Sequence, residues 1–160
     1  MAQKKKGILI VNLGSPEKLT VRSVRRFLRE FLSDPRVVNL PRSLWWVILN
    51  FFVLPFRPLK SAKAYAEVWT ERGSPLIYLT QDLTDKVAAY YLQDADVVVE
   101  MAMSYGRPSL TAQLRQLKKS QCEQITVVPL YPQYSSTTTA SVFDAVATEL
   151  MQWRFIPELH

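Results

Sequence analysis

Gly7-Ile8-Leu9-Ile10-Val11-Asn12-Leu13 is the stretch whose reading settles the fold class. It is a near-continuous apolar run of strand length, and such a run suits a strand buried on both faces of a parallel sheet. Two more runs have this character: Val97-Val98-Val99-Glu100-Met101-Ala102-Met103 and Ile125-Thr126-Val127-Val128-Pro129-Leu130-Tyr131. A glutamate interrupts the second and a proline the third, which blurs their ends.

Between these runs the apolar period becomes helical. Val21, Val24, Leu28, Phe31 and Leu32 share one face, with arginines opposite. Ala62, Tyr65, Ala66 and Trp69 recur at i, i+3, i+4 and i+7, and Leu76, Leu79, Leu83 and Val87 form a similar stripe. Leu110, Leu114 and Leu117 follow Ser109, an N-cap residue just after Pro108. Val142, Val146, Leu150 and Trp153 define a last helix. Strands separated by helices predict βαβ units and an α/β layer fold with a parallel sheet. Residues 14 to 95 are too many for one crossover, so several helices are expected between the first two strands. Phe155-Ile156-Pro157 reads as the approach to a strand that is missing or cut short. A three-stranded sheet with an unpaired edge is therefore expected.

The chain has 160 residues, the length of one ordinary domain, and 48% apolar residues, enough for a core. One His and one Cys argue against a zinc cluster or a Cys/His iron site, and one Cys excludes an intrachain disulfide. Cys122, just before a strand, reads as inert. His160, the last residue, is a poor catalytic base. Glu100 is a candidate buried acid or an edge or salt-bridged residue. The net charge of +6 allows anionic partners, but the positive residues are scattered and give no nucleic-acid signature. Lys4, Lys5 and Lys6 precede an apolar run too short for a signal peptide, so secretion is not expected.

Chemistry-bearing loops follow the strands. Gly14 in Asn12-Leu13-Gly14-Ser15-Pro16 and Gly106 in Ser104-Tyr105-Gly106-Arg107-Pro108 lie at strand carboxyl ends, where open α/β sheets bind ligands. They either frame a ligand or only supply turn geometry. Tyr131-Pro132-Gln133-Tyr134-Ser135-Ser136-Thr137-Thr138-Thr139 brings hydroxyls to the same edge, as a polar cradle or a capping loop. No GxGxxG or Walker loop is present. Leu44 to Phe56 is the most apolar segment. It is too short to span a bilayer, which takes about 20 residues. Arg42, Arg57, Lys60 and Lys63 flank it. Adjacent Trp45-Trp46 and Phe51-Phe52 cannot all face one core, because successive helical residues point ~100° apart. An apolar surface with a cationic rim suits membrane docking or a pocket for a flat apolar ligand with acidic edges.

Taken in order, these motifs resemble ferrochelatases. They are Gly7 to Pro16, Arg29-Glu30-Phe31-Leu32-Ser33-Asp34-Pro35-Arg36-Val37-Val38, Trp69 with Gly73-Ser74-Pro75, Met103 to Pro108, Leu130 to Ser135, and Ser141-Val142-Phe143-Asp144. The set is similar to the protoporphyrin-using bacterial type. The resemblance implies insertion of ferrous iron into protoporphyrin IX to form protohaem, a lyase reaction of haem biosynthesis. It implies a chelatase-like three-layer lobe with a parallel sheet and inserted helices, one of the two lobes of the family. Residues 1–160 would be the first lobe, with an apolar mouth at about 40–60, and the second, catalytic lobe would be absent. Leu13, Arg57, Lys60, Tyr65, Ser74 and Tyr131 would bind substrate. Trp45, Trp46, Phe51, Phe52 and Phe56 would form the mouth and touch a membrane. No catalytic or metal residue is expected in this chain, because the family's catalytic histidine lies in the other lobe. Ser136 stands where some members place an iron–sulfur cysteine, so no cluster or other cofactor is expected. At Ser104 some members carry an arginine. A cytoplasmic location with peripheral membrane contact is implied. The alternative is a non-catalytic porphyrin-binding or membrane-surface module from a truncated gene.

Overall fold

A computed structural model of the chain describes residues 4–160. The three apolar runs become β1 (Lys6–Asn12), β2 (Val97–Met103) and β3 (Gln124–Pro129). β1 pairs in parallel with both neighbours, Lys6 standing opposite Val97 on one side and Gln124 on the other. The unfinished strand after Phe155-Ile156-Pro157 is formed as β4 (Glu158–Leu159), in parallel register with Gln124 and Ile125 of β3. The expected three-stranded sheet is thus a four-stranded one of order β2-β1-β3-β4. Two residues suffice because the Glu158 amide donates to the Glu123 carbonyl at 2.8 Å and the His160 amide to that of Ile125 at 2.9 Å.

The helices are α1 (Val21–Ser33), α2 (Arg42–Ile48), α3 (Leu54–Val68), α4 (Pro75–Tyr90), α5 (Leu110–Lys119) and α6 (Ser141–Leu150). Four of them fall between β1 and β2, as the length of that connection requires. Ser109 caps α5, its hydroxyl accepting from the Ala112 amide. α6 stops at Leu150, short of Trp153, whose ring nevertheless joins the core from the following turn.

Side chains of one strand alternate between the two faces. Leu9, Val11, Ala102 and Ile125 pack against Leu110, Leu114 and Leu117 of α5 and Val142, Val146 and Leu150 of α6. α4 lies on the other face, where the Asn12 amide donates to Thr80 Oγ1 at 2.9 Å. The three layers of the expected lobe are therefore present. α4 corrects one expectation. An apolar stripe implies that its leucines face the core, yet Leu79 and Leu83 are exposed while Thr80 and Thr84 are buried. Burial costs these hydroxyls little because each donates to the carbonyl four residues back, at 2.6 and 2.8 Å. A second apolar cluster lies beyond the sheet: Val24, Phe27, Leu28 and Leu32 of α1, Tyr105, and Leu49 and Leu54 from the α2–α3 segment.

Candidate functional site

The carboxyl ends of β1, β2 and β3 open onto three loops. Gly14 sits at φ +103°, and a Cβ there would lie 1.8 Å from the Tyr105 carbonyl oxygen, so the first loop approaches the second at backbone contact. That approach carries two amide bonds, Ser104 to the Asn12 carbonyl at 2.8 Å and Tyr105 to the Leu13 carbonyl at 3.0 Å. Asn12 adds a brace: its Oδ1 accepts from the Leu13 amide at 2.8 Å while its Nδ2 reaches Thr80. Leu13 is held half-buried against the second apolar cluster. On the far side of β1, the Tyr131 hydroxyl lies 3.3 Å from Ser104 Oγ. Burial pushes the Tyr131 phenol above its ordinary pKa, so it stays protonated and able to donate.

The segment expected to form the mouth is α2, a π turn (Leu49–Val53) and α3 in one helical run. Pro55 and Pro58 lie just beyond the π turn. Each lacks an amide hydrogen and crowds the carbonyl four residues back, which for Pro55 is that of Phe51 inside the widened turn. Leu49 and Leu54 point into the cluster, and the Trp45 indole donates to the Leu32 carbonyl at 2.6 Å. What is left faces outward: Trp46, Phe51, Phe52 and Phe56 are 60%, 61%, 66% and 73% exposed. The expectation that adjacent aromatics cannot share one core is met, with Trp45 inside and Trp46 outside.

Tyr65, in the last turn of α3, packs edge-on to Phe27 and Trp69. Burial raises its phenol pKa, and the positive charge of nearby Arg57 acts in the opposite direction. Arg57 and Lys60 are exposed, and neither forms an ion pair among the described residues. Ser74 is buried at the head of α4, and its hydroxyl does not cap the helix. The loop before it is pinned by Arg72, which grips Asp82 through two bonds of 2.6 and 2.9 Å and stacks 4.3 Å over the Tyr78 ring.

Leu13, Trp45 and Tyr65 thus meet in one cluster. Tyr131 belongs to the core on the other face and reaches the same edge through Ser104. Glu100 lies on the edge strand β2, accepts from Gln113 at 3.3 Å and forms no ion pair among the described residues. Burial raises its pKa. Cys122 is buried and its thiol pKa is also raised by burial, so it is a poor nucleophile. His160 pairs with Glu158 on β4, level with the middle of β3. No group of three or more His, Cys, Asp or Glu that could hold a metal occurs among the described residues. Sequence reading passed over the roles of Asn12, Asp34, Tyr105 and Ser141. Only a polar residue at an apolar run's end or a helix boundary marked them in advance.

Fold and site together define an α/β lobe of chelatase type, with three loops at the carboxyl edge of its parallel sheet and a helical run that exposes aromatics and cations. The sequence pattern of the ferrochelatase family matches residues 5–160, and the chain belongs to that family. The ferrochelatase of Methylococcus capsulatus (strain ATCC 33009 / NCIMB 11132 / Bath) is 56% identical over 154 residues, 96% of this chain and 46% of the relative. Ferrochelatase 2 of Shewanella oneidensis is 49% identical over 160 residues, 99% of this chain and 49% of the relative. The ferrochelatase of Aromatoleum aromaticum is 52% identical over 156 residues, 96% and 42% respectively. The chain spans less than half the length of these curated relatives.

Proposed function

We propose that residues 1–160 form the porphyrin-holding lobe of a protoporphyrin ferrochelatase, the enzyme that inserts ferrous iron into protoporphyrin IX in haem biosynthesis. The observation that carries this is the gathering of Leu13, Trp45 and Tyr65 about one apolar cluster, with Phe51, Phe52 and Phe56 exposed on the same helical run and Arg57 and Lys60 of α3 exposed and in no ion pair among the described residues. An apolar macrocycle gains by burying its faces on such a floor, and its two propionates complement Arg57 and Lys60. Tyr131 and Ser74 supply an aromatic wall and a hydroxyl. The chain's share of the chemistry is to bind, orient and shield the ring. By the family resemblance the groups that accept the pyrrole protons belong to the other lobe, and His160 stands away from this edge. Ser136 offers a hydroxyl where a cluster would need a thiolate, so the lobe works without an iron–sulfur centre. No helix among the described residues is long and apolar enough to cross a membrane. Phe51, Phe52 and Phe56 instead dip into a bilayer surface from the cytoplasmic side.

Titrating the chain with protoporphyrin IX and following porphyrin fluorescence tests this reading. Arg57→Ala is expected to weaken binding of the dicarboxylate about 5-fold and leave the dimethyl ester unaffected. Equal dicarboxylate affinity for both proteins removes Arg57 from the site, and no saturable binding by the wild type removes the reading.

A further inference from the structure

We propose that Asp34 is a positioning residue for this site: through one carboxylate oxygen it latches the root of the mouth to the loops that carry Leu13, Ser104 and Tyr131. The inference rests on the porphyrin-holding reading above.

Asp34 closes α1, and its carbonyl accepts from the amides of Val37 and Val38, both at 3.0 Å, which starts the chain toward α2. Its Oδ1 accepts from the Arg36 amide at 2.7 Å. One oxygen is thus spent ordering the segment that leads into the mouth. The other, Oδ2, accepts from the Tyr105 hydroxyl at 2.7 Å and from the Ser141 hydroxyl. Those two hydroxyls lie 3.0 Å apart, and both residues are buried.

Each partner leads to a wall of the site. Tyr105 follows Ser104, which meets the Tyr131 hydroxyl, and the Tyr105 amide holds the Leu13 carbonyl. Ser141 opens α6, directly after the hydroxyl-rich π turn (Ser136–Ala140). The Tyr105 ring stacks edge-on to Phe31 at 5.2 Å, so its hydroxyl has little freedom to leave Asp34. Burial first, opposed by the Ser141 hydrogen bond and helped by the Asp34 charge, pushes the Tyr105 phenol far above its ordinary range, and it remains a donor. From the solvent side Arg36 clamps Asp144 of α6 with bonds of 2.6 and 3.0 Å, fastening the same junction a second time. Asp34, Tyr105 and Ser141 border a hollow of about 520 Å³. The junction is thus specified chiefly by polar bonds, whose geometry is narrower than that of apolar contact.

The test compares Ser141→Ala, Ser141→Thr and Tyr105→Phe in the same chain. Three quantities are read: protoporphyrin affinity, the circular dichroism induced in the porphyrin's Soret band, and the thermal midpoint. Ser141→Ala and Tyr105→Phe are expected to weaken porphyrin binding about 5-fold and alter the Soret dichroism. Ser141→Thr, which keeps the hydroxyl, is expected to match the wild type on both. The midpoints should fall by no more than about 5 °C. Affinity and dichroism that are the same for alanine and threonine at 141 overturn the latch. If the wild type binds no porphyrin, the functional reading fails, and amide hydrogen exchange decides the latch alone. Exchange across residues 35–48 should then be about 5-fold faster in Tyr105→Phe while that of β3 is unchanged, and equal exchange in the two proteins overturns it.

Discussion

Gly14 and Gly73 share a backbone conformation and differ in what surrounds them. Gly14 has φ +103° with a carbonyl oxygen 1.8 Å from where a Cβ would go, whereas Gly73 has φ +95° with nothing within 4 Å. Gly14→Ala is therefore expected to cost at least about 3 kcal/mol, combining strain with displacement of a backbone loop. Gly73→Ala should cost about 1 kcal/mol, from strain alone. Urea unfolding of the two variants measures both, and similar losses would show that the approach of the two loops is soft. Glu149 makes a second prediction at this scale. It is buried, and its carboxylate accepts from Arg115 at 2.9 and 3.0 Å and from the Trp153 indole at 2.9 Å. The Arg115 hydrogen bond holds its pKa below the ordinary carboxylate value, against the effect of burial. A depressed folded pKa means that the ionised form stabilises the fold. That contribution is complete above the unfolded value of about 4.3 and fades as pH falls through the folded one. Glu149→Gln should be less stable than wild type at pH 7, with the gap closing below about pH 4. A gap that stays constant from pH 7 to pH 3 in urea titrations would assign the loss to packing.

At the scale of elements, the Arg42–Val68 run is the one built for something other than its own core. Leu49 and Leu54 anchor it, the π turn and two prolines shape it, and its aromatics stand in solvent. Replacing Phe51, Phe52 and Phe56 together by serine should shift stability by no more than about 0.5 kcal/mol per site, because none is buried. The same triple variant should lose about 10-fold or more in porphyrin affinity, through the apolar area no longer available to the ring. Unchanged affinity would take these residues out of the mouth. α2 and α3 were legible as an amphipathic problem, since adjacent Trp and Phe pairs cannot share one side of a helix. α4 was not legible in this way. Its leucine stripe predicts the wrong buried face, because periodicity registers only apolarity. The threonines win the sheet side by satisfying their hydroxyls within the helix, and Thr80 also accepts from Asn12.

For the whole molecule, two cores meet at the carboxyl edge of one parallel sheet, and the candidate site lies on their seam. β4 places His160 opposite the middle of β3, roughly 15 Å along the strand from Tyr131 at ~3.3 Å per residue. It cannot serve as a base at that edge. The purified 1–160 chain is expected to bind protoporphyrin without forming haem from it and ferrous iron, read from the haem absorption bands under anaerobic conditions. Turnover above the uncatalysed rate would mean that the proton acceptors lie within these residues after all. The order of strands and helices, the parallel sheet and the family could be read from the sequence, because apolar periodicity and short motifs are local properties of the chain. Only the tertiary structure decided that a two-residue β4 completes the sheet, that α4 turns its threonines inward, and that Asp34, Tyr105 and Ser141 meet at one carboxylate oxygen. The last of these depends on groups 36 to 107 residues apart finding partners in space, and no local pattern records which buried polar atom will satisfy which.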